Sequence, residues 1–553
     1  MAVGLLSAGM GSVPAEQTYL DISQGNRVFD SLYDEPLPRD VGGGICGPAY
    51  SKAVVERAES APADIVPGLL AETLRRAGES CAVRSVDLAQ LRALVRGLRG
   101  DDLLIAIERA PPEKNGALAI GIGGISSTNS NSGNNSSSGK ELTSDSTRTD
   151  GYVLSTDIAP TILQRLGIDV PSAISGQPIR AEGRLDVATL ESLASRMASI
   201  SGRRGPVIGL SLLVWLLALA VVALLSRGRA ARVGVGLVGL SVVLLPLVLL
   251  LGAALEPSQT VEQLLVLFGT PAFAAGLLVA AGTPVRALAV ASALVVVACA
   301  IDVVAGSPLT RLSLLGPNPG LGVRFYGIGN ELEALLAVLL VAGTGAALQA
   351  FAPRAATRTA AAAFLVTGIA FAFVFAAGWF GADVGAAIVM PIGAAAAASK
   401  VATPRRRTAL LIIMTILLAF VGFVAAVDLI SGANTHLTRS VLDAGGFSDL
   451  AQVAQRRLQL SAHSFVRPVV FLALPAIIAL TAIAVWRRDA IRHWFAPVPL
   501  LAAGLFGATA AVVVGALAND SGALVLEIGA AYLLVFAGFA WAESPSVSAH
   551  LEP

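Results

Sequence analysis

Polar and apolar positions are mixed up to about residue 206, and beyond it long apolar runs succeed one another almost without a break. A helix needs about 20 apolar residues to cross the hydrocarbon layer. Lipid cannot satisfy an open backbone, so each such run is predicted to be a membrane-spanning helix. Residues 207–226 and 233–255 meet the length without a single charge. The further candidates are 264–281, 287–304, 334–351, 359–380, 384–399, 408–427, 469–486, 498–518 and 522–541. The pattern therefore predicts an all-α polytopic bundle of about eleven helices over 207–542.

The first part has a different texture. Helices are predicted over 63–78 and 157–166, and strands over 81–86, 103–107, 117–122 and 152–154. Residues 1–184 thus read as an α/β domain. The amphipathic stretch 185–199 makes 185–206 a linker helix, and 543–553 is a short tail. Residues 126–139 are a Ser, Asn and Gly tract, the composition of a surface loop.

Charge adds an orientation. Arg227, Arg229 and Arg232, then Arg286, Arg354 and Arg358, Lys400 with Arg405 to Arg407, and Arg487, Arg488 and Arg492 fall in alternate connections. Short intervening loops carry Glu256, Glu262, Asp383 and Asp520. Positive short loops stay in the cytoplasm, so the first domain is expected outside and the C-terminus inside, at the plasma membrane. An exported domain calls for a signal or anchor helix, and residues 1–16 offer only a weakly apolar stretch without a basic start, so a preceding segment is expected. Cys46 and Cys81 fall in the outer domain, where they could pair or stay as two thiols. The net charge of +1 and the lack of a basic stripe with aromatics argue against nucleic acid, leaving the lipid bilayer as the first partner.

The segment Ser155-Thr156-Asp157-Ile158-Ala159-Pro160-Thr161-Ile162-Leu163, with Leu166-Gly167-Ile168 and Gly176-Gln177-Pro178-Ile179, resembles the C-terminal part of the alkaline phosphatase and sulfatase superfamily. Pro67 to Gly78 is similar to that superfamily's helix before its second strand. With the membrane half, the whole resembles bacterial, actinobacterial-type polytopic membrane proteins that carry such a domain. The resemblance implies an alkaline-phosphatase-like, truncated extracytoplasmic fold. Members of the superfamily bind two metals through Asp and His beside a Ser, Thr or Cys nucleophile. Here the first histidine of the chain is His436, and Glu108-Arg109-Ala110-Pro111 stands where an Asp-His pair is expected. The domain is therefore read as degenerate and noncatalytic, with no metal, and Asp157 and Thr161 as capping and packing a helix.

Acids in the membrane half cost about 2.5 to 3.5 kcal/mol at mid-bilayer on insertion scales, which makes them candidates for function. Asp302, Glu331, Glu333, Asp383, Asp428, Asp520 and Glu527 fall at or near the outer ends of spans. Glu331, Glu333 and Asp383 stand at helix starts, where the helix dipole favours an anion, and Asp520 can cap the last span. Asp302 and Asp428 stand at helix ends and call for a partner such as Arg311, Arg324 or Arg439. Glu527 lies inside the last span, seven positions after Asp520 and on the same face.

The densest local signal is residues 315–333, with Gly322-Val323-Arg324-Phe325-Tyr326-Gly327-Ile328-Gly329-Asn330-Glu331-Leu332-Glu333. This tract also resembles a signature of the membrane proteins named above. Its glycines permit an unusual backbone before a helix start, whose free amides bind anions. Arg324 could clamp a phosphate or carboxylate, and Tyr326 could add a hydroxyl; the bland alternative is a tight turn with an arginine for lipid headgroups. Trp379 to Gly385 reads as a hairpin, 448–462 as an interfacial helix, and His436 and His463 as solvated loop histidines.

These residues define an outward-facing polar site of Arg324, Tyr326, Asn330, Glu331, Asp383, Asn519, Asp520 and Glu527. It is expected to bind or transfer a lipid-linked or phosphorylated envelope precursor. In an enzyme, Glu527 or Glu331 would be the base and Arg324 the phosphate clamp, with the cofactor unknown. The alternatives are a proton- or cation-coupled transporter or flippase, in which the same acids carry the ions, and a scaffold that recruits envelope enzymes.

Overall fold

The computed structural model describes the chain apart from residues 12, 43, 48–49, 62, 100–101, 109–112, 115–116, 125–138, 226–227, 431–460, 463, 466–469, 520 and 545–553. The side chains of residues 31, 113–114, 229, 428–430 and 470–472 are likewise left aside. The expected loop over 126–139, the interfacial helix over 448–462, His436, His463, Arg439, Asp520 and the side chain of Asp428 fall wholly or largely outside the described residues. The chain divides into two compact units, residues 1–201 with 318–325, and residues 202–317 with 326–553.

The first unit is built on a mixed sheet. Its strands are β1 (Ala2–Ser7), β2 (Val13–Pro14), β3 (Leu104–Ile107), β4 (Glu113–Lys114), β5 (Ala117–Gly123), β6 (Lys140–Thr143), β7 (Tyr152–Leu154) and β8 (Arg180–Glu182). The main sheet runs β3-β5-β1-β6-β8, with β7 also on β1, while β2 and β4 pair apart. β1 is central, antiparallel to β5 (Leu6↔Leu118) and parallel to β6 (Ala2↔Lys140) and β7 (Leu6↔Val153). Leu6, Leu118, Ile120, Ile122, Leu142 and Val153 form the buried core. The helices are α1 (Ala15–Gln24), α2 (Lys52–Ser60), α3 (Leu69–Arg76), α4 (Leu88–Gly97), α5 (Ile158–Arg165) and α6 (Val187–Arg204).

Three local expectations give way here. The helix anticipated over 63–78 is confined to α3, because Gly68 takes a left-handed φ of 79° directly before it. Residues 81–86 form no strand: Cys81 is bonded to Cys46, with Cα atoms 5.5 Å apart, and 82–86 are exposed, so their apolar side chains bury nothing. α4 follows instead, closed by a reciprocal cap between Asp87 and Gln90. The stretch read only as weakly apolar is the central strand, whose continuous apolar run follows from having partners on both edges and a packed core.

The second unit is helical: α7 (Leu210–Leu225), α8 (Arg229–Leu255), α9 (Gln259–Leu264), α10 (Thr270–Ala281), α11 (Pro284–Val304), α12 (Asn330–Phe351), α13 (Thr357–Ala376), α14 (Val384–Ala402), α15 (Arg406–Ile430), α16 (Val470–Trp486), α17 (Arg488–Phe495), α18 (Pro499–Ala518) and α19 (Gly522–Ala542). Ten helices among the described residues are long and apolar enough to cross a membrane, α9 and α10 counting as one continuous segment. The chain is thus an integral, multi-pass membrane protein in contact with lipid. The expected eleventh span corresponds to α16, a helix of 17 residues. At the centre α12, α14 and α18 pack through fully buried Leu336, Ala342, Met390, Ala397, Leu501 and Ala508. Small side chains let these helices approach closely, which is how helices associate where the solvent is itself apolar.

Asp302, expected to call for an arginine, is held by backbone donors. After α11 the chain turns back through Gly306 (φ 93°) and Ser307 (φ 63°), and the amides of Leu309 and Thr310 donate to the Asp302 carboxylate at 2.9 and 2.7 Å. Backbone donors, invisible to a search for countercharges, offset the unfavourable position at a helix end.

Candidate functional site

The polar side chains of the second unit converge where α12, α14 and α19 begin and α18 ends. α12 starts after Gly327 and Gly329; the Gly327 amide donates to Ser307 Oγ at 2.9 Å. Its first turn carries Asn330, Glu331 and Glu333, close to the positive end of the helix dipole. Glu333 is fully buried. Asn519, the residue that ends α18, donates through Nδ2 to Glu333 Oε2 at 2.7 Å and to Asn330 Oδ1 at 3.3 Å. Asn519 is itself fixed, because its Oδ1 accepts from the Ser521 amide at 3.0 Å.

The α14 side closes over the same carboxylate. Asp383 is buried and caps α14, its Oδ1 accepting from the Ala386 amide at 3.1 Å. Gly385 follows in the first turn, and a Cβ there would collide with the Glu333 carboxylate oxygens. Glycine at 385 is therefore what lets Glu333 enter. Next to Glu333, Gly515 of α18 faces Val525 of α19 and Val389 of α14. Glu527 lies two residues beyond Val525; its Oε1 is shielded from solvent and has no hydrogen-bond partner among the described residues. Ser461 Oγ donates to the Ala516 carbonyl at 2.7 Å, and Ser464 Oγ accepts from the Ala523 amide at 3.0 Å, tying down the α18–α19 turn.

Glu331 points to different partners. Arg204 Nη1 reaches its Oε1 at 3.2 Å, while Arg204 Nη2 donates to the Gly316 carbonyl at 2.7 Å. This pair is about a quarter exposed, and Arg204 Nε is enclosed without a hydrogen-bond partner among the described residues. The neighbouring Arg203 pairs with Glu262 at 2.9 Å, and Glu262 is 1% exposed.

Of the residues expected from sequence, Asn330 and Asn519 come together, with Glu331 and Asp383 on the same helix starts. Tyr326 precedes α12 in the same unit. Arg324 belongs with 318–325 to the first unit, and Asp520 lies outside the described residues. The centre of the cluster, Glu333, is legible as an acid at a helix start, three residues from Asn330 and so on its helix face, but it is not among the residues of the expected site. Arg203 and Arg204 read as the end of a linker, and no local pattern announces their partners.

In the first unit the segment 318–325 is built into the end of the sheet. Arg27 donates to Ser7 Oγ at 3.2 Å and to the Gly322 carbonyl at 2.9 Å, and lies 5.6 Å from the Phe325 ring centroid. Tyr152 packs on the same ring, and the Gly11 amide donates to the Leu321 carbonyl at 2.7 Å. Asp157, expected to cap α5, does not do so through its side chain; it is fully buried and accepts from Ser144 and Ser146 Oγ at 2.6 Å, and from the Leu154 and Gln177 amides. Four donors converge on one carboxylate, so it joins three loops rather than one helix end. Thr161 packs beside it and accepts from the Ile179 amide at 2.8 Å. Among the described residues no three His, Cys, Asp or Glu side chains are grouped to hold a metal ion.

Family models, curated proteins and solved structures were compared with this chain, and none matches it.

Proposed function

We propose that this membrane protein is a proton- or cation-coupled transporter or flippase whose coupling group is Glu333. The observation that carries the reading is a fully buried carboxylate between membrane helices, held by the Asn519 carboxamide and enclosed by Gly385. Ionisable groups buried between membrane helices are expensive and more often functional, and a carboxylate that accepts from a neutral carboxamide is a group that can take up a proton or a cation. The first unit is a noncatalytic, extracytoplasmic recognition module in this reading. The alternation of basic loops supports its location, as does the Cys46–Cys81 disulfide, a bond that persists in oxidising compartments.

The test is a pH jump applied to proteoliposomes on a solid-supported membrane. A transient charge displacement in wild type that disappears in Glu333→Gln supports the reading; an equal displacement in both removes it.

A second reading, binding of a lipid-linked or phosphorylated envelope precursor, is favoured by Arg204. Its enclosed Nε is a donor turned toward no protein acceptor among the described residues, and guanidinium is well matched to phosphate. A phosphorylated lipid copurifying with wild type and absent from Arg204→Ala, identified by lipid mass spectrometry, would make that lipid the cargo. Bulk phospholipid alone in both would remove the precursor.

A further inference from the structure

A groove of about 630 Å³ opens between the end of α14, the short helix α17 and the first half of α18. Its walls are mostly apolar, with Phe495, Pro499, Ala502, Phe506 and Thr509 among them, and two cations, Lys400 and Arg492, also line it. Pro499 and Thr509 are ten residues apart on one helix, about 15 Å at 1.5 Å per residue. That is about half of the ~30 Å hydrocarbon layer, the depth of a single leaflet.

The charge comes from two elements. Lys400 is in the last turn of α14, and its ammonium lies 5.4 Å from the Phe506 ring centroid. Arg492 belongs to a helix of sequence RDAIRHWF, whose Ile491 and Phe495 line the groove. Its pairing with Asp489 at 3.2 Å is highly exposed on both sides and leaves guanidinium donors open to solvent. An apolar groove about one leaflet deep, lined also by two cations, matches an amphiphile with an anionic head. A neutral helix of another protein would leave both cations unmatched.

We infer that this groove is a binding site for an anionic phospholipid, with the phosphodiester held by Lys400 and Arg492 and one acyl chain lying along Pro499 to Thr509. Basic pockets between membrane helices select anionic headgroups, each cation contributing on the scale that attracts basic segments to anionic lipid. The inference is independent of the coupling role proposed for Glu333.

The experiment is native mass spectrometry of the delipidated full-length chain, titrated with phosphatidylglycerol, with phosphatidylcholine, and with inorganic phosphate as competitor. Wild type is expected to retain phosphatidylglycerol in preference to phosphatidylcholine, and Lys400→Ala/Arg492→Ala to bind it about thirtyfold more weakly. Ala502→Trp, which fills the groove without touching the cations, should also abolish the preference. Equal retention of the two lipids by wild type, or a double variant that binds as wild type does, overturns the inference. Complete displacement of phosphatidylglycerol by phosphate also overturns it, because the cations would then be a site for the free ion.

Discussion

Replacing Asp21 by Asn should stabilise the first unit, and more so at high pH. Asp21 is 1% exposed within α1 and accepts from Gln17 Nε2 at 2.8 Å and Gln24 Nε2 at 3.2 Å. Burial pushes its pKa from 3.8 up to about 7, against the lowering effects of Gln17, Arg27, Arg57 and Gln24. The folded form therefore keeps a proton that the unfolded form has lost, and stability falls as pH rises from about 4 through about 7. At about 1.4 kcal/mol per unit, the raised pKa costs the fold about 4 kcal/mol at pH 8 and less than half of that at pH 5. A carboxamide keeps an acceptor for both glutamines and never ionises. All five tryptophans lie outside this unit, so the measurement is hydrogen exchange of β1, whose slowest amides report global opening of the unit. The ratio of variant to wild-type exchange at equal pH cancels the intrinsic chemistry. Protection should rise about 1,000-fold at pH 8 and by much less at pH 5. A gain that is the same at both pH values, or a loss at pH 8, would refute the reasoning.

Two further outcomes follow from the membrane unit. Arg203→Ala leaves Glu262 buried without its guanidinium and should cost about 3 to 5 kcal/mol, while Arg203→Ala/Glu262→Gln recovers part of it. Thermal unfolding followed by tryptophan fluorescence reads this directly, since Trp215 is held nearby through the Leu267 carbonyl; a harmless single variant would show the pair to be unimportant. Gly385→Ala sets a methyl group against the Glu333 carboxylate and should cost about 1 to 3 kcal/mol by overpacking. It should also diminish the pH-driven charge displacement, and undiminished displacement in a folded variant would mean that Glu333 is not held as described.

The membrane half was legible because its signal is long: ten stretches of apolar residues leave no other element type open, and only the 17-residue α16 falls short of a span. The first half was legible where strands alternate or a glycine ends a helix, as in β5 and after α5 at Gly167. It was misread where tertiary partners decide. The run 2–7 is the central strand of the sheet although it is short and weakly apolar, and the apolar residues over 81–86 signal no strand because 82–86 are exposed. Side-chain chemistry showed the same division: Asp302 is satisfied by amides seven and eight residues ahead, a loop geometry that no residue type announces.

The helix dipole explains why acids cluster at the start of α12, but it does not explain them equally. An acid in a first turn gains about 0.3 to 1 kcal/mol when exposed. That is enough to account for Glu331, which also has Arg204 and partial access to solvent. It falls well short of the several kcal/mol needed to bury a carboxylate completely, which is the situation of Glu333. Fixed donors such as Asn519 contribute to the difference. Two residues that look equivalent in the sequence are therefore separated by burial and by their partners. This imbalance makes Glu333 the residue to test first, with Glu331 as its matched control.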